Sequence, residues 1–306
     1  MSIRTGTASL IASLSVAGGV AAQPIEGEGF VVDFDAIELR MTHVAGNVYA
    51  LAGAGGTIGV FVSDDAVFLV DDQFAPLTER IRAEISAVSD APVRFLINTH
   101  FHEDHTSGNE NFGEIGTLIV AHENVRRTLA QPHYIEMIQT RFAAFDESAL
   151  PVVTFQDTIA FHLGGERIDV IHSPPAHTDG DSIIFFRGSN VLHMGDVFRS
   201  RGQPIFDRNN GGSYEGLIAA ADFALNLIDE NTMIIPGHGV VSTKADLRES
   251  RDVMATIRDR IQTGIDVGMT AEQVIANDPT RGFDWRDGRL TVAETIRWIY
   301  RELAAN

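Results

Sequence analysis

Seven residues, Thr99-His100-Phe101-His102-Glu103-Asp104-His105, constrain this chain more than any other stretch. They follow Val93-Arg94-Phe95-Leu96-Ile97-Asn98, which is short, apolar and partly β-branched, as a buried strand should be. They precede Thr106-Ser107-Gly108-Asn109, a cluster of turn formers and helix caps. Imidazole and carboxylate are preferred ligands of a borderline divalent ion such as zinc. On a tight loop after a strand, His100 and His102 can converge on one ion while Asp104 and His105 point at a second. Such a loop needs distant partners and a rigid edge to present them.

The order of elements supplies that edge. Asn47 to Leu51, Thr57 to Val62 and Ala66 to Val70 are apolar runs divided by Gly53-Ala54-Gly55-Gly56 and Ser63-Asp64-Asp65, a meander of antiparallel strands. Phe74, Leu77, Ile81, Ile85 and Val88 recur at helical spacing. Leu118 to Ala121 reads as a strand and Glu123 to Ala130 as a helix. Gln131 to Ser148 has no clean period, and Tyr134, Met137, Phe142 and Phe145 are expected in the core rather than in a groove beside the metal loop. In the second half, Thr158 to Phe161 and Ile168 to His172 form a hairpin around Gly164-Gly165. Ser182 to Phe186 and Val191 to Met194 form another. A helix with Ile218, Ala221, Phe223 and Leu227 on its apolar side follows, then a strand at Met233 to Ile235. Two halves of strands followed by a helix suggest two sheets face to face with helices outside. From Ser242 onward the chain reads as helical, interrupted at Pro279-Thr280-Arg281-Gly282. Those helices are expected on the outer face of a sheet rather than as a substrate lid.

Distant ligand candidates sit on loops after strands. His177 lies in Pro175-Ala176-His177-Thr178-Asp179-Gly180-Asp181, Asp196 ends a hairpin in Met194-Gly195-Asp196, and His238 stands in Pro236-Gly237-His238-Gly239. Asp71 and Asp72, at a strand end, are expected to accept the outward N–H of a ligating histidine. His172 and His193 are open between that role and plain strand residues. His43, His122, His133 and His162 are expected at the surface or in the core.

Composition narrows the partners. The 306 residues carry a formal charge of −19, which argues against nucleic acid and against an anionic membrane surface. A small-molecule substrate is the expected partner. No cysteine occurs, so neither disulfides nor thiolate ligands are possible. Arg4, the apolar stretch Ala8 to Ala21 and the small residues Val20-Ala21-Ala22 read as a secretory signal cut after Ala22, hence a periplasmic protein. Residues 23–306 would then form one domain, with a helical tail from about 242 to 306.

The order His-x-His-x-Asp-His, then a histidine, an aspartate and a Gly-His-Gly histidine, resembles the metallo-β-lactamase superfamily over about residues 43 to 245. That resemblance implies a four-layer αβ/βα sandwich with a site for two zinc ions at one edge of the sheets. Carried over by position, His100, His102 and His177 would hold the first zinc. Asp104, His105 and His238 would hold the second, with Asp196 bridging both and Asp104 also taking the catalytic role. The ions, about 3.5–4 Å apart, would generate a hydroxide near neutral pH. Members that use iron for oxygen reduction place a glutamate where His102 stands.

Substrate is the open question. Opening of the cyclic amide of a β-lactam fits an exported protein. It also fits Arg199, three residues past Asp196, where one subclass places a carboxylate-binding lysine. Asn210, in Asn209-Asn210-Gly211-Gly212, falls near that subclass's substrate-binding asparagine loop. The subclass has a cysteine where Asp196 stands, and Asp196 with His105 resembles the lactonase and glyoxalase II-like thioesterase branches instead. A nuclease or phosphodiesterase is disfavoured by acidity and export, and a non-enzymatic metal-binding module is the remaining alternative. The competing expectation for Arg199 is a solvent-facing pair with a surface acid such as Asp207.

Overall fold

The structure is a computed structural model that describes residues 24–27, 29, 31–288 and 290–305. The expected leader, residues 1–22, lies outside the described residues.

In chain order the strands are β1 (Pro24–Glu26), β2 (Arg40–Ala45), β3 (Val48–Ala52), β4 (Ile58–Val62), β5 (Val67–Val70), β6 (Val93–Asn98), β7 (Leu118–His122), β8 (His133–Ile135), β9 (Thr140–Phe142), β10 (Val153–Phe155), β11 (Thr158–Leu163), β12 (Glu166–His172), β13 (Ser182–Phe186), β14 (Val191–His193), β15 (Met233–Ile235) and β16 (Ser242–Thr243). The helices are α1 (Thr78–Ser86), α2 (Glu103–Thr106), α3 (Asn109–Glu114), α4 (Glu123–Leu129), α5 (Tyr214–Leu227), α6 (Lys244–Asp266), α7 (Ala271–Ala276) and α8 (Val292–Ala304).

Seven strands form one sheet in the order β10-β7-β6-β5-β4-β3-β2, and six form a second in the order β11-β12-β13-β14-β15-β16. The first sheet changes from antiparallel to parallel at β5, where the chain begins to cross over through helices. The strands there are buried on both faces, which explains why Val67–Val70 is continuously apolar rather than alternating. Between the sheets lie Val48, Ile97, Ile168, Val170, Ile184 and Ile235. Phe61 stacks on Phe186 at 5.9 Å, and Phe68 meets Phe161 edge-on at 5.1 Å. Outside the first sheet, Leu77, Ile81 and Ile85 of the α1 region pack with Phe112 of α3 on Leu69 and Leu96. Outside the second, α5, α6 and α8 pack Leu217, Ile257 and Ile299 on Ile183, Leu192 and Ile234. The result is the expected four-layer sandwich with a C-terminal helical layer.

Several expectations need correction. Phe223 is 36% exposed, because the buried side of α5 runs through Tyr214, Leu217, Ile218, Ala221, Ala224 and Leu225. At 3.6 residues per turn Phe223 falls off that stripe. Pro76 sits in a 3-10 turn ahead of α1, so Phe74 and Leu77 precede the helix rather than belonging to it. Helix α6 starts at Lys244, since Ser242 and Thr243 first pair with β15; Thr243 then caps the helix in a reciprocal pair with Asp246. Residues 131–148 contribute β8 and β9, which join β1 in a small third sheet. Phe142 and Phe145 are buried as expected, whereas Met137 and Ile138 line the cavity at the metal loop. The tail is more than an outer layer: Arg286, Gly288 and Leu290, between α7 and α8, line that same cavity.

Candidate metal centre

The chain gathers its ligand candidates at one edge by stitching loops together with backbone hydrogen bonds. Gly56 N–H donates to Asp104 O, Thr57 N–H to Gly237 O, Gly237 N–H to Gly195 O and Asp207 N–H to His177 O. Two glycines are required by close approach: a Cβ at Gly56 would collide with the His105 ring, and one at Gly237 with Asp196 Oδ1. His193 helps as well, donating from Nε2 to Thr57 O at 2.9 Å and accepting from Gly195 N–H at Nδ1. It therefore anchors the loop that carries Asp196. His172 instead stacks on His122 at 3.8 Å, outside the cluster.

Three groups of side chains have ligand atoms within 4.8 Å of one another: His100, His102 and His177; Asp104, His105 and His238; and His100, His105 and Asp196. These are the seven residues singled out in the sequence. Each of four imidazoles turns one nitrogen outward to a fixed partner. His100 Nδ1 meets Thr99 Oγ1 at 2.9 Å, and His177 Nδ1 donates to Ile205 O at 2.8 Å. His105 Nδ1 donates to Asp71 Oδ2 at 2.8 Å, and His102 Nε2 to Asp207 Oδ2 at 3.1 Å. Deprotonated, as metal binding requires, the opposite nitrogens of these rings carry lone pairs, and all point inward.

The inward atoms call for a cation. His177 Nε2 and His102 Nδ1 stand 2.9 Å apart. His105 Nε2 stands 3.2 Å from Asp196 Oδ1 and 3.4 Å from His238 Nε2. Facing lone pairs at such distances repel unless a metal ion or a proton lies between them. His100 Nε2 and Asp196 Oδ1 are moreover buried without a hydrogen-bond partner, a state that costs about 1–3 kcal/mol per group when nothing satisfies it. The donor set, nitrogen and carboxylate oxygen with no sulfur, suits zinc. The residues fit the metal.

Electrostatics divides the cluster in two. Burial, then the neighbouring imidazoles, hold His100 well below the ordinary imidazole range. Burial draws His177 down to about 4. Both are thus in the neutral form a metal needs. On the other side, burial also opposes protonation of His238, but Asp196 and Asp104 outweigh it and raise His238 to about 9. Asp104 and Asp196 are pulled down in turn by His105 and His238, against the burial that would raise them.

Asp71 plays the supporting role expected of it. Fully buried and in a left-handed backbone conformation (φ 64°) that aspartate tolerates better than most residues, it accepts from Thr99 N–H, Thr99 Oγ1–H and His105. Asp72 accepts from Gly108 N–H and so ties β5 to the turn after the metal loop. Asp207 is not the surface acid expected: it is 1% exposed and buttresses His102. No spacing in the sequence marks it, because it lies 105 residues from the histidine it holds. Glu103, also buried, faces His133 Nε2 at 3.4 Å, tying α2 to β8.

The cavity over the ligands measures about 340 Å³. Met137, Ile138, Ile205 and Leu290 form its apolar wall, and Arg199, Arg201 and Arg286 its cationic one. Arg199 places Nη1 3.5 Å from Asp196 Oδ2. Asn210, expected at the substrate, lies behind His102 instead, where its amide donates to Asp207 Oδ2 and Tyr134 O. It is not among the residues lining the cavity.

Comparison with known proteins agrees with this geometry. The family model of the metallo-β-lactamase superfamily matches residues 52–238. A Schizosaccharomyces pombe protein described as a "probable hydroxyacylglutathione hydrolase" is 30% identical over 147 residues, 47% of each chain. A linear primary-alkylsulfatase of a Pseudomonas species is 20% identical over 244 residues, 65% of this chain and 45% of that one. The chain thus spans about half the length of these curated relatives. Among solved structures, a metallo-β-lactamase from Pontibacter korlensis superposes with a TM-score of 0.60 at 17% identity, over 71% of this chain and 99% of that one. The sec-alkylsulfatase Pisa1 from Pseudomonas sp. superposes with a TM-score of 0.65 at 16% identity, over 86% and 50%. These superpositions speak to the fold. With the family match covering more than half of its length and ending on His238, the chain belongs to the metallo-β-lactamase superfamily.

Proposed function

We propose that this chain is a two-zinc hydrolase that opens the cyclic amide of a carboxylate-bearing β-lactam of the penicillin or cephalosporin type. One observation carries the reading: in a chain of net charge −19, three arginines line the cavity that holds the ligand cluster. His100, His102 and His177 would hold one ion, Asp104, His105 and His238 the other, and Asp196 both. Zinc bound there supplies a water acidic near neutrality and a Lewis acid for the carbonyl oxygen. The chain's own residues do the rest. Asp71 and Asp207 fix the tautomers of His105 and His102. The Arg199 guanidinium, a planar fork suited to a carboxylate, orients the substrate. Asp104, on the cavity wall, is placed to take the proton that the attacking water releases and to pass it to the leaving nitrogen.

A glyoxalase II-like thioesterase is the second reading, favoured by the 30% identical S. pombe relative, and its substrate is likewise a carboxylate. An uncharged lactone gains nothing from three arginines. We also propose export, with the mature chain beginning at Gln23, and a small molecule as partner rather than nucleic acid or membrane.

Steady-state hydrolysis by the zinc-loaded protein of a penicillin, a cephalosporin, S-lactoylglutathione, a homoserine lactone and a secondary alkyl sulfate tests the reading. Arg199→Ala should cut kcat/KM for a penicillin by roughly ten- to a thousandfold, as removal of a shielded charge partner costs about 2–5 kcal/mol, and leave any lactone turnover nearly unchanged. Equal losses on both substrates would remove Arg199 from carboxylate binding. Turnover of the thioester alone would select the second reading.

A further inference from the structure

We propose that the substrate has an apolar alkyl or aryl arm, and that this arm occupies a second compartment beside the metal cavity, built largely by the C-terminal segment. The proposal rests on the reading of the site as one for an anionic substrate and extends it to an amphiphilic one.

A cavity of about 510 Å³ lies across residues 199–202 from the metal cavity. Asp196, Arg199, Arg201 and Gly202 line both, so the two meet at the metal-ligand aspartate and at two guanidiniums. The volume lies within the ~300–1,000 Å³ of pockets that enclose small organic ligands. Its deeper wall is apolar: Phe198 and Met254 are buried, while Val253, Phe283 and Trp285 are half-buried and border it.

The acids at its rim are largely spent. Asp246 caps α6 by accepting from Thr243, and Asp284 accepts from Arg286 Nε at 2.7 Å. Glu249 stays exposed at the mouth. The compartment therefore offers a wall of aromatic and aliphatic surface beside polar surface of about equal extent.

The wall is held open from behind. Arg260 of α6 donates to Pro279 O and Arg281 O, and its guanidinium lies 5.0 Å from the centre of the Phe283 ring. Trp285 meets Tyr214 edge-on at 6.4 Å. Farther along, Gln203 donates to Leu290 O at 2.7 Å, fastening the same segment over the metal cavity. An anionic head at Arg199 and Arg201 and an apolar arm against Val253, Phe283 and Trp285 would use both compartments at once. Each methylene buried there should tighten binding about three- to fourfold.

Trp285 is one of two tryptophans in the chain, so the Trp298→Phe protein, zinc-loaded, carries a single reporter in this wall. Titration with straight-chain carboxylates from acetate to decanoate should change its fluorescence saturably. Kd should fall about three- to fourfold per methylene until the compartment is filled. Val253→Glu, or Ser250→Glu on the same face should that variant fail to fold, should abolish the dependence on chain length. A Kd independent of chain length, or a dependence that survives both glutamates, would overturn the compartment. The reading of the reaction fails separately: a protein that binds decanoate in this way but hydrolyses no carboxylate-bearing substrate keeps the compartment and loses the β-lactam.

Discussion

The two sides of the metal cluster are built and supported differently. His100, His102 and His177 form an all-imidazole side, braced by Asp207 from a loop and by the Ile205 carbonyl. Asp104, His105 and His238 form a side where carboxylates and imidazoles compensate one another, braced by Asp71 at the end of β5. Asp71 also holds both hydrogens of Thr99, the residue that opens the metal loop, whereas Asp207 holds one imidazole and the Asn210 amide. One support is thus part of the framework and the other is local. A site of this kind needs the framework to place the loop and the local contact only to aim a ring.

The largest effect should come from comparing the two aspartates. Asp71→Ala strands the Thr99 N–H, its hydroxyl and the His105 N–H in a fully buried place, and should destabilise the metal-free chain by about 3–5 kcal/mol. Asp207→Ala should cost about 1–3 kcal/mol. Urea unfolding of the two variants measures both, and equal losses would end the distinction between framework and local support.

Acid and alkali should probe His177 and His238 in opposite directions. His177 has a folded pKa of about 4, below its unfolded value, so the unfolded chain binds the proton first and stability falls as pH drops from ~6.5 towards 4. His238 has a folded pKa of about 9, above its unfolded value. Its contribution is complete below ~6.5 and is lost as pH rises through 9. Each limb is worth up to about 3 kcal/mol at roughly 1.4 kcal/mol per unit. Urea midpoints of the metal-free protein should therefore peak between pH 6 and 7, and His238→Gln should make only the alkaline limb shallower, because His105 and His102, also raised by neighbouring carboxylates, contribute to it too. Loss of the acid limb in that variant would show that the two sides are not separable.

The smallest effect concerns metal affinity. Freed from Asp207, the His102 ring can turn, and zinc should bind about 10–100-fold more weakly at the imidazole side. Chelator competition on Asp207→Asn and Asp207→Ala resolves this, with the carboxylate side expected to change little. A loss shared equally by both sites would mean that Asp207 supports the whole cluster.

The metal loop was legible because its chemistry is written in residue type: three imidazoles and a carboxylate within six positions after an apolar strand have few other uses. His177, Asp196 and His238 could be found because each follows a strand and is set among turn residues or small neighbours. Asp71 was legible by the same rule, as a carboxylate at a strand end. Asp207 was not, since one carboxylate in a loop looks like any surface acid until the fold buries it. Phe223 and Met137 failed for a related reason. A single hydrophobic residue says that it prefers burial, but which side of a helix or which cavity receives it depends on neighbours far along the chain.

By itself, then, the amino-acid order determined the sandwich of two sheets and the imidazole and carboxylate side chains that gather at one edge of it, because strand periodicity, turn chemistry and side-chain type are local properties. The tertiary structure alone decided which carboxylate holds which imidazole, that Asn210 stands behind the metal cluster, and that the segment around Trp285 and Leu290 reaches back to the site. Those outcomes depend on contacts between loops separated by tens to more than a hundred residues. Burial and hydrogen-bond geometry select such contacts only once the sheets have packed.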